Sequence, residues 1–201
     1  MDNVLLGVAV LPDPVTLEAV LDTTRSLLGH CGSREPVAEP YCLLYQASFA
    51  REATPFVLQA VQTIGREQAA IETCLVEFGI QDGHLSWIAA RTAWRSFRLL
   101  QGTVLAAVAP LRALQSLVAP SRNGDRSALA ENFDRYGYRF CAERFVPQLR
   151  LAYLGDLTEA ASALDDLSPC TQPCRFDRMA VLEMGEAPGS IWPLTEAQLV
   201  A

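Results

Sequence analysis

The chain has 201 residues, of which 50% are hydrophobic and 19% charged, a composition typical of a soluble globular protein that can bury a core without disulfides. Its net charge of −7 leaves no spread of basic residues to displace the counterions of a polyanion, which excludes duplex nucleic acid as the main partner. All 16 basic residues are arginine, which excludes lysine Schiff-base chemistry and a P-loop lysine.

Apolar runs typical of strands alternate with apolar stripes at helical spacing along the chain. The pair Asp82-Gly83 between two such runs predicts a tight β-hairpin. A polar stretch at 121–134 predicts a surface loop or lid. The predicted elements are, in chain order, a strand at 4–11, a helix at 14–29, a strand at 40–47, a helix at 55–65, hairpin strands at 73–81 and 84–90, a helix at 94–118 with a bend near Pro110, the loop, a strand from Pro147, a helix at 158–167, a strand at 176–184 and a tail at 191–194 that packs on the sheet edge.

This order predicts a duplicated α+β layout in which two similar halves meet along a cleft. We expect one bilobal domain over 1–201. Its halves are predicted to comprise roughly 1–70 together with the C-terminal strand, and 71–170.

A proline, a short β-rich run and a tyrosine occur together twice. The two segments are Pro40-Tyr41-Cys42-Leu43-Leu44-Tyr45 and Pro147-Gln148-Leu149-Arg150-Leu151-Ala152-Tyr153. They resemble the paired strands of the two-histidine (2H) phosphoesterase superfamily, the 2′-5′ RNA ligase-like and cyclic phosphodiesterase proteins, in which each motif reads Pro-His-x-Thr/Ser. The resemblance implies an α+β fold with antiparallel sheets around a central cleft and helices outside. It also aligns Tyr41 and Gln148 with the two histidines, and Leu43 and Arg150 with the Thr/Ser positions.

In that family the two histidines act as general acid and general base, and the hydroxyls hold the phosphate. Gln148 does not titrate, Tyr41 carries a phenol that is a poor base near neutral pH, and Leu43 donates no hydrogen bond. The two histidines of the chain, His30 and His84, stand at a predicted helix end and beside the predicted hairpin turn, and we interpret them as surface or turn residues. The family reaction therefore lacks a proton carrier and a phosphate anchor.

Alternate residues of a strand point to the same face. One wall of the cleft is therefore predicted to carry Tyr41, Leu43 and Tyr45, and the facing wall Gln148, Arg150 and Ala152. The resemblance implies wall packing for Tyr45 and Tyr153. Arg150 lies in the interior of a strand and is expected to meet either an anion or a salt-bridge partner, because its planar guanidinium can donate paired hydrogen bonds to either.

Three functions are consistent with these residues. In the first, the cleft binds a largely apolar small molecule with an anionic or carbonyl group, or orients it for a cyclisation or isomerisation. Its candidate catalytic residues are Tyr41, Gln148 and Arg150, and its candidate ligand-binding residues are Leu43, Tyr45, Ala152 and Tyr153. The second is a residual phosphodiesterase that acts on cyclic or 2′-5′ nucleotides. The third is a non-catalytic scaffold, which a cleft closed by its own side chains would favour.

The remaining expectations concern cofactors and location. Cys170 and Cys174 are the one close cysteine pair and lack a second pair at ligand spacing, so no metal or cofactor is predicted, while a loop disulfide stays open. No apolar run approaches the roughly 20 residues of a membrane span. The chain starts without a basic signal region, so we predict a cytoplasmic protein without a membrane partner. The oligomeric state is undetermined.

Overall fold

The computed structural model describes residues 2–30, 36–81, 83–113, 128–153, 171–185 and 191–200. These residues form seven strands and four helices. In chain order the elements are β1 Asn3–Pro12, α1 Pro14–His30, β2 Pro36–Ala50, α2 Thr54–Glu67, β3 Ile71–Gln81, β4 His84–Ala89, α3 Trp94–Val108, α4 Ala128–Tyr136, β5 Gln148–Tyr153, β6 Gln172–Met184 and β7 Ile191–Gln198.

The seven strands form one antiparallel sheet in the order β1-β2-β5-β4-β3-β6-β7. An additional pairing of β1 with β6 closes the first six of these strands into a ring. The two motif strands, β2 and β5, are direct neighbours in this ring, and Tyr41 pairs with Arg150 between them. The predicted α+β class with an antiparallel sheet is confirmed, and the division into two lobes stays a prediction.

Helices pack on the sheet through stripes of apolar side chains spaced three and four residues apart. In α3 the buried stripe includes Phe97, Leu100 and Val104. The ring of Phe97 meets the ring of Phe176 on β6 edge to face, with centroids 5.3 Å apart. None of the helices in the described part of the chain is long and apolar enough to cross a membrane.

The helix predicted at 94–118 ends earlier than expected. It stops at Val108 and continues as a single 3-10 turn, Ala109–Leu111, after which the backbone is extended at Arg112. Pro110 explains the end, because proline lacks the N–H that the helical ladder requires. The predicted bend is therefore a termination, and residues 114–118 lie outside the described residues.

The polar stretch predicted as a loop or lid at 121–134 is helical in its described part. Residues from Ala128 onward form α4, and 121–127 lie outside the described residues. Asn132 anchors this helix, because its Nδ2 donates to the carbonyl of Cys141 at 2.8 Å and to that of Arg139 at 3.2 Å. The helix predicted at 158–167 also lies outside the described residues, whereas the predicted tail at 191–194 lies within the edge strand β7.

A close approach between α2 and β7 predicts opposite effects for two glycine substitutions. A Cβ on Gly65 would lie 2.7 Å from the Cβ of Ala197, whereas a Cβ on Gly102 of α3 meets nothing within 4 Å. We expect Gly65→Ala to lower the free energy of unfolding by about 1–3 kcal/mol through overpacking. Gly102→Ala should raise it by about 0.5–1 kcal/mol, because alanine loses less backbone entropy in a helix. Urea denaturation measures both free energies of unfolding. Equal effects of the two substitutions would contradict the close approach between α2 and β7.

Candidate functional site

The first motif strand carries a β-bulge directly after its motif. Val8 of β1 pairs with Tyr45 and the next residue, Ala9, pairs with Leu43, so Leu44 is an extra residue of β2. An extra residue shifts the alternation of side chains between the two faces of a sheet. Tyr45 therefore points to the face opposite Leu43.

The second motif strand carries a bulge at the same offset. Leu85 of β4 pairs with Ala152 and the next residue, Ser86, pairs with Arg150, so Leu151 is the extra residue of β5. In both motifs the bulge follows the position that the resemblance aligns with Thr/Ser. We call the sheet face that carries the side chains of Tyr41, Leu43, Gln148 and Arg150 the motif face.

Tyr45 does not lie on the motif face, so its predicted place beside Tyr41 is wrong. Its side chain is fully buried, and its hydroxyl donates to the carbonyl of Tyr136 at the end of α4 at 2.6 Å. Its ring meets Phe49 and Tyr138 edge to face. Burial raises the pKa of the Tyr45 phenol, which keeps it protonated in a structural role.

The second bulge likewise removes Ala152 from the predicted wall, because Ala152 pairs with Leu85 on the opposite face. Tyr153 instead pairs with His84, and the two rings meet edge to face with centroids 5.2 Å apart. His84 shares the motif face, since it lies two residues before the partner of Arg150 on β4. Of the two interpretations of His84, the surface residue is wrong because His84 is 8% exposed, whereas its place beside the hairpin turn is confirmed.

Arg150 lies at the centre of the motif face. It pairs with Tyr41 on one side and with Ser86 on the other. Its Nη1 donates to the Tyr41 hydroxyl at 3.5 Å, and its Cζ lies 5.8 Å from the centroid of the Tyr41 ring. Arg150 is 4% exposed and Tyr41 1%. The structure thus brings together two candidate catalytic residues that stand 109 positions apart in the sequence.

Ser86 is a further polar residue of the motif face, and sequence reasoning missed it. Its side chain is fully buried, and its Oγ forms no hydrogen bond within the described part of the chain. A buried hydroxyl without a partner costs free energy, so a ligand atom beside it would be stabilised. Along the predicted hairpin strand, the polar residues His84 and Ser86 alternate with apolar ones, and this alternation was the available signal.

Gln148 lies on the motif face two residues before Arg150 and is 9% exposed. Its Nε2 donates to Oε1 of Gln81, the last residue of β3, so the tip of the hairpin is joined to the second motif strand. No titratable group takes part in this contact. Gln148 can therefore orient an oxygen through its amide, but it cannot transfer a proton.

Leu43 forms the apolar end of the motif face. It is 6% exposed, and its Cδ1 would lie 3.0 Å from a Cβ on Gly7. The same Cβ would lie 2.5 Å from Cε of Met184, so three apolar residues from β1, β2 and β6 converge there. The missing side chain of Gly7 is what lets Leu43 and Met184 approach.

Solved structures with this strand and helix arrangement identify the fold. A crystal structure of a phosphoesterase matches with a TM-score of 0.61 and 14% identity over 100% of both chains. E. coli LigT complexed with 3′-AMP matches with a TM-score of 0.61 and 13% identity over 100% of both chains. TT0787 of Thermus thermophilus matches with a TM-score of 0.60 and 17% identity over 97% of each chain. The fold is that of the LigT-like 2H phosphoesterases. No protein-family model and no curated protein matches the sequence.

The LigT-like fold confirms the predicted α+β architecture. At these sequence identities a shared fold does not establish an activity for this chain, because one fold hosts many functions. Within the described ranges, no three side chains of His, Cys, Asp or Glu come close enough to hold a metal ion. Cys174 is a buried free thiol on β6, and Cys170 lies outside the described residues.

The thiol of Cys42 stands inside the first motif of this LigT-like fold but is not a nucleophile near neutral pH. Cys42 pairs with Val10 and points away from the motif face. Burial raises the pKa of the Cys42 thiol to about 12, against a smaller opposing effect of the Arg150 charge. A thiol with so high a pKa stays protonated and unreactive.

Proposed function

We propose that the motif face lines a cleft, and that this cleft binds a largely apolar small molecule whose anionic or carbonyl oxygen contacts Arg150. We also propose that it does not hydrolyse cyclic phosphodiesters. One observation carries this proposal: the buried guanidinium of Arg150 stands in register between Tyr41 and Ser86, and the buried Ser86 Oγ forms no hydrogen bond within the described residues.

An oxygen-bearing ligand fits this arrangement electrostatically. The guanidinium of Arg150 is always charged and its Nη1 donates to the Tyr41 hydroxyl, so an anionic oxygen beside it would add a charge-assisted hydrogen bond. The same oxygen could accept a hydrogen bond from the Ser86 hydroxyl. Arg150 and Ser86 are almost fully buried, and a charge-assisted bond is stronger in such surroundings than in water.

The absence of an acid and base pair at the motif positions supports a cleft without hydrolysis. The resemblance aligns Tyr41 and Gln148 with the two catalytic histidines, and the amide of Gln148 cannot transfer a proton, so one member of the pair is lost. A reaction in this cleft would depend on shape and on polarisation of an oxygen by Arg150 and Gln148, with Tyr41 as the donor. A cyclisation or an isomerisation meets that description.

The apolar end of the motif face supports an apolar body for the ligand. Leu43 and Met184 converge over Gly7, and none of the three offers a hydrogen bond from its side chain. A ligand with a hydrocarbon or aromatic part would bury that part there and place its oxygen at Arg150. Such a combination of apolar lining and a few polar groups is common in small-molecule sites.

A specific observation favours the scaffold as a second candidate. The side chains of the motif face are buried, with Tyr41 at 1% exposure, and the contact between Gln148 and Gln81 bridges two strands across it. Burial and this bridge would close the face to a ligand, as expected for a scaffold. If the closure is permanent, the fold serves as a non-catalytic module.

A ligand panel tests the proposal. We expect apolar carboxylates and monophosphates to raise the melting temperature, while alcohols of the same skeleton do not, because only the anions bind Arg150. Tyr41→Phe should reduce the shift but keep it, since the aromatic surface under Arg150 remains. The protein at high concentration should not turn over 2′,3′-cyclic or 2′,5′-linked nucleotides.

Two results of the panel would contradict the proposal. If no anion raises the melting temperature, the scaffold is supported. If a cyclic nucleotide is hydrolysed and Tyr41→Phe abolishes the reaction, the cleft is a residual phosphodiesterase.

A further inference from the structure

The charge distribution of α3 is opposite to what the helix dipole favours. Arg95 and Arg98 lie within its first five residues, and Arg91 lies in the 3-10 turn just before it. The first turn holds no acidic residue, and the last turn holds no basic one. In α4, by contrast, Glu131 lies in the first turn and Arg135 in the last. Cations at a helix N-terminus are electrostatically unfavourable, so the start of α3 carries a local cost.

No described ion pair offsets this cost. Arg91 and Arg95 are four residues apart and Arg95 and Arg98 three, so the like charges are neighbours on one helix surface and repel. None of the three forms an ion pair with another described residue. The arginines that do form such pairs are Arg25, Arg51, Arg175 and Arg178.

Trp94 holds two of these arginines in place. Its Nε1 donates to the carbonyl of Ala89 at 2.8 Å, which fixes the indole ring. The Cζ atoms of Arg91 and Arg98 lie 5.1 and 5.3 Å from the centroid of that ring. A cation–π contact uses the face of the guanidinium and leaves its N–H groups available. The two guanidiniums can therefore contact the ring and an anion at the same time.

The three arginines, Trp94 and Leu99 line an outward-facing hollow of about 490 Å³. All three arginines are exposed there, and Leu99 is 65% exposed. The opposite side of α3 is buried through Phe97 and Leu100. The hollow is therefore separate from the motif face, whose Arg150 is buried within the sheet.

We propose that this hollow, which we call the α3 arginine site, binds a chain of adjacent phosphates on a small ligand. Three closely spaced guanidinium forks match several neighbouring phosphate oxygens better than they match one carboxylate. The local repulsion would be relieved when such an anion binds. Features that oppose local rules within a stable fold are expected at functional sites. The assignment does not depend on the function of the motif face.

Titration calorimetry with inorganic tripolyphosphate tests the assignment. Arg95→Gln/Arg98→Gln should weaken binding by about tenfold or more, because two charge-assisted contacts are lost. Arg25→Gln/Arg51→Gln is the matched control. It removes the same charge from exposed arginines that pair with Asp22 and Asp2, and should change binding by less than about twofold. Circular dichroism checks that both variants are folded.

Further probes distinguish the sources of the phosphate chain. If a nucleoside triphosphate binds as tightly as tripolyphosphate, the phosphates alone are recognised; tighter binding identifies the ligand as a nucleotide. An equal loss of affinity in both double variants would overturn the assignment, because it would show that the anion is attracted unspecifically by charge. Hexaglutamate binding as tightly as tripolyphosphate would overturn the preference for phosphate and point to an acidic protein. Binding that only Arg150→Met removes would place the anion in the cleft and also overturn the assignment.

Discussion

Arg150→Met is expected to weaken binding of the anionic ligand by about tenfold to a hundredfold, since a hydrogen bond to a charged group contributes about 1.5–3 kcal/mol. The variant should stay folded. Methionine has a similar length and fills the space on the Tyr41 ring, so the substitution leaves no large cavity. The expected change is measured as affinity, with circular dichroism to check that the variant is folded.

Calorimetry with the best anion of the ligand panel measures this effect. Arg144→Met is the matched control, because it removes the same charge from an exposed residue outside the motif face. It should leave the affinity unchanged. If Arg150→Met binds the anion as tightly as the wild type, Arg150 does not contact the ligand and the proposed site is wrong.

Gln101→Leu is expected to lower the free energy of unfolding by about 2–4 kcal/mol, because it removes the side-chain partner of one buried and one partly buried backbone group. Gln101 is 1% exposed. Its Nε2 donates to the carbonyl of the bulge residue Leu44 at 2.8 Å, and its Oε1 accepts from the N–H of Ala142 at 3.0 Å. Ala142 has a positive φ of 50°, so this contact also holds a strained residue.

Urea denaturation of Gln101→Leu measures the loss. Gln62→Leu on α2 is the matched control, because Gln62 is only partly buried and its Nε2 donates to the hydroxyl of Thr195 at 3.2 Å. It should cost less than about 1 kcal/mol. Equal losses in the two variants would contradict the role of Gln101. Since the Leu44 bulge decides which side chains face the ligand, Gln101→Leu should also weaken anion binding.

The order of elements was predictable because it depends on periodicity and on local turn signals. The hairpin of β3 and β4 and the apolar stripe of α3 are confirmed in their predicted places. The end of α3 was missed, although Pro110 carried the signal. The predicted loop at 121–134 is wrong in its described part, because its polar residues were interpreted as irregular structure. Asn132 instead lies within the short helix α4 and donates a hydrogen bond to the segment that follows it.

The site was only partly predictable. The pairing of Tyr41 with Arg150 follows from the resemblance of the two motifs, but the bulges do not follow from the sequence. Every residue from Tyr41 to Tyr45 is buried, so no alternation of polar and apolar residues reveals the extra Leu44. Tyr45 and Ala152 were consequently placed on the wrong face. Ser86 was missed because its importance depends on a partner on another strand.

The central claim is that the cleft holds a small molecule through Arg150. Native mass spectrometry of the purified protein, after incubation with metabolite extract from its own host, tests it most directly. We expect a small molecule that the wild type and Arg144→Met retain and Arg150→Met loses, and its mass would give the ligand class. A mass without ligand for the wild type across all extracts would contradict the claim and support the scaffold.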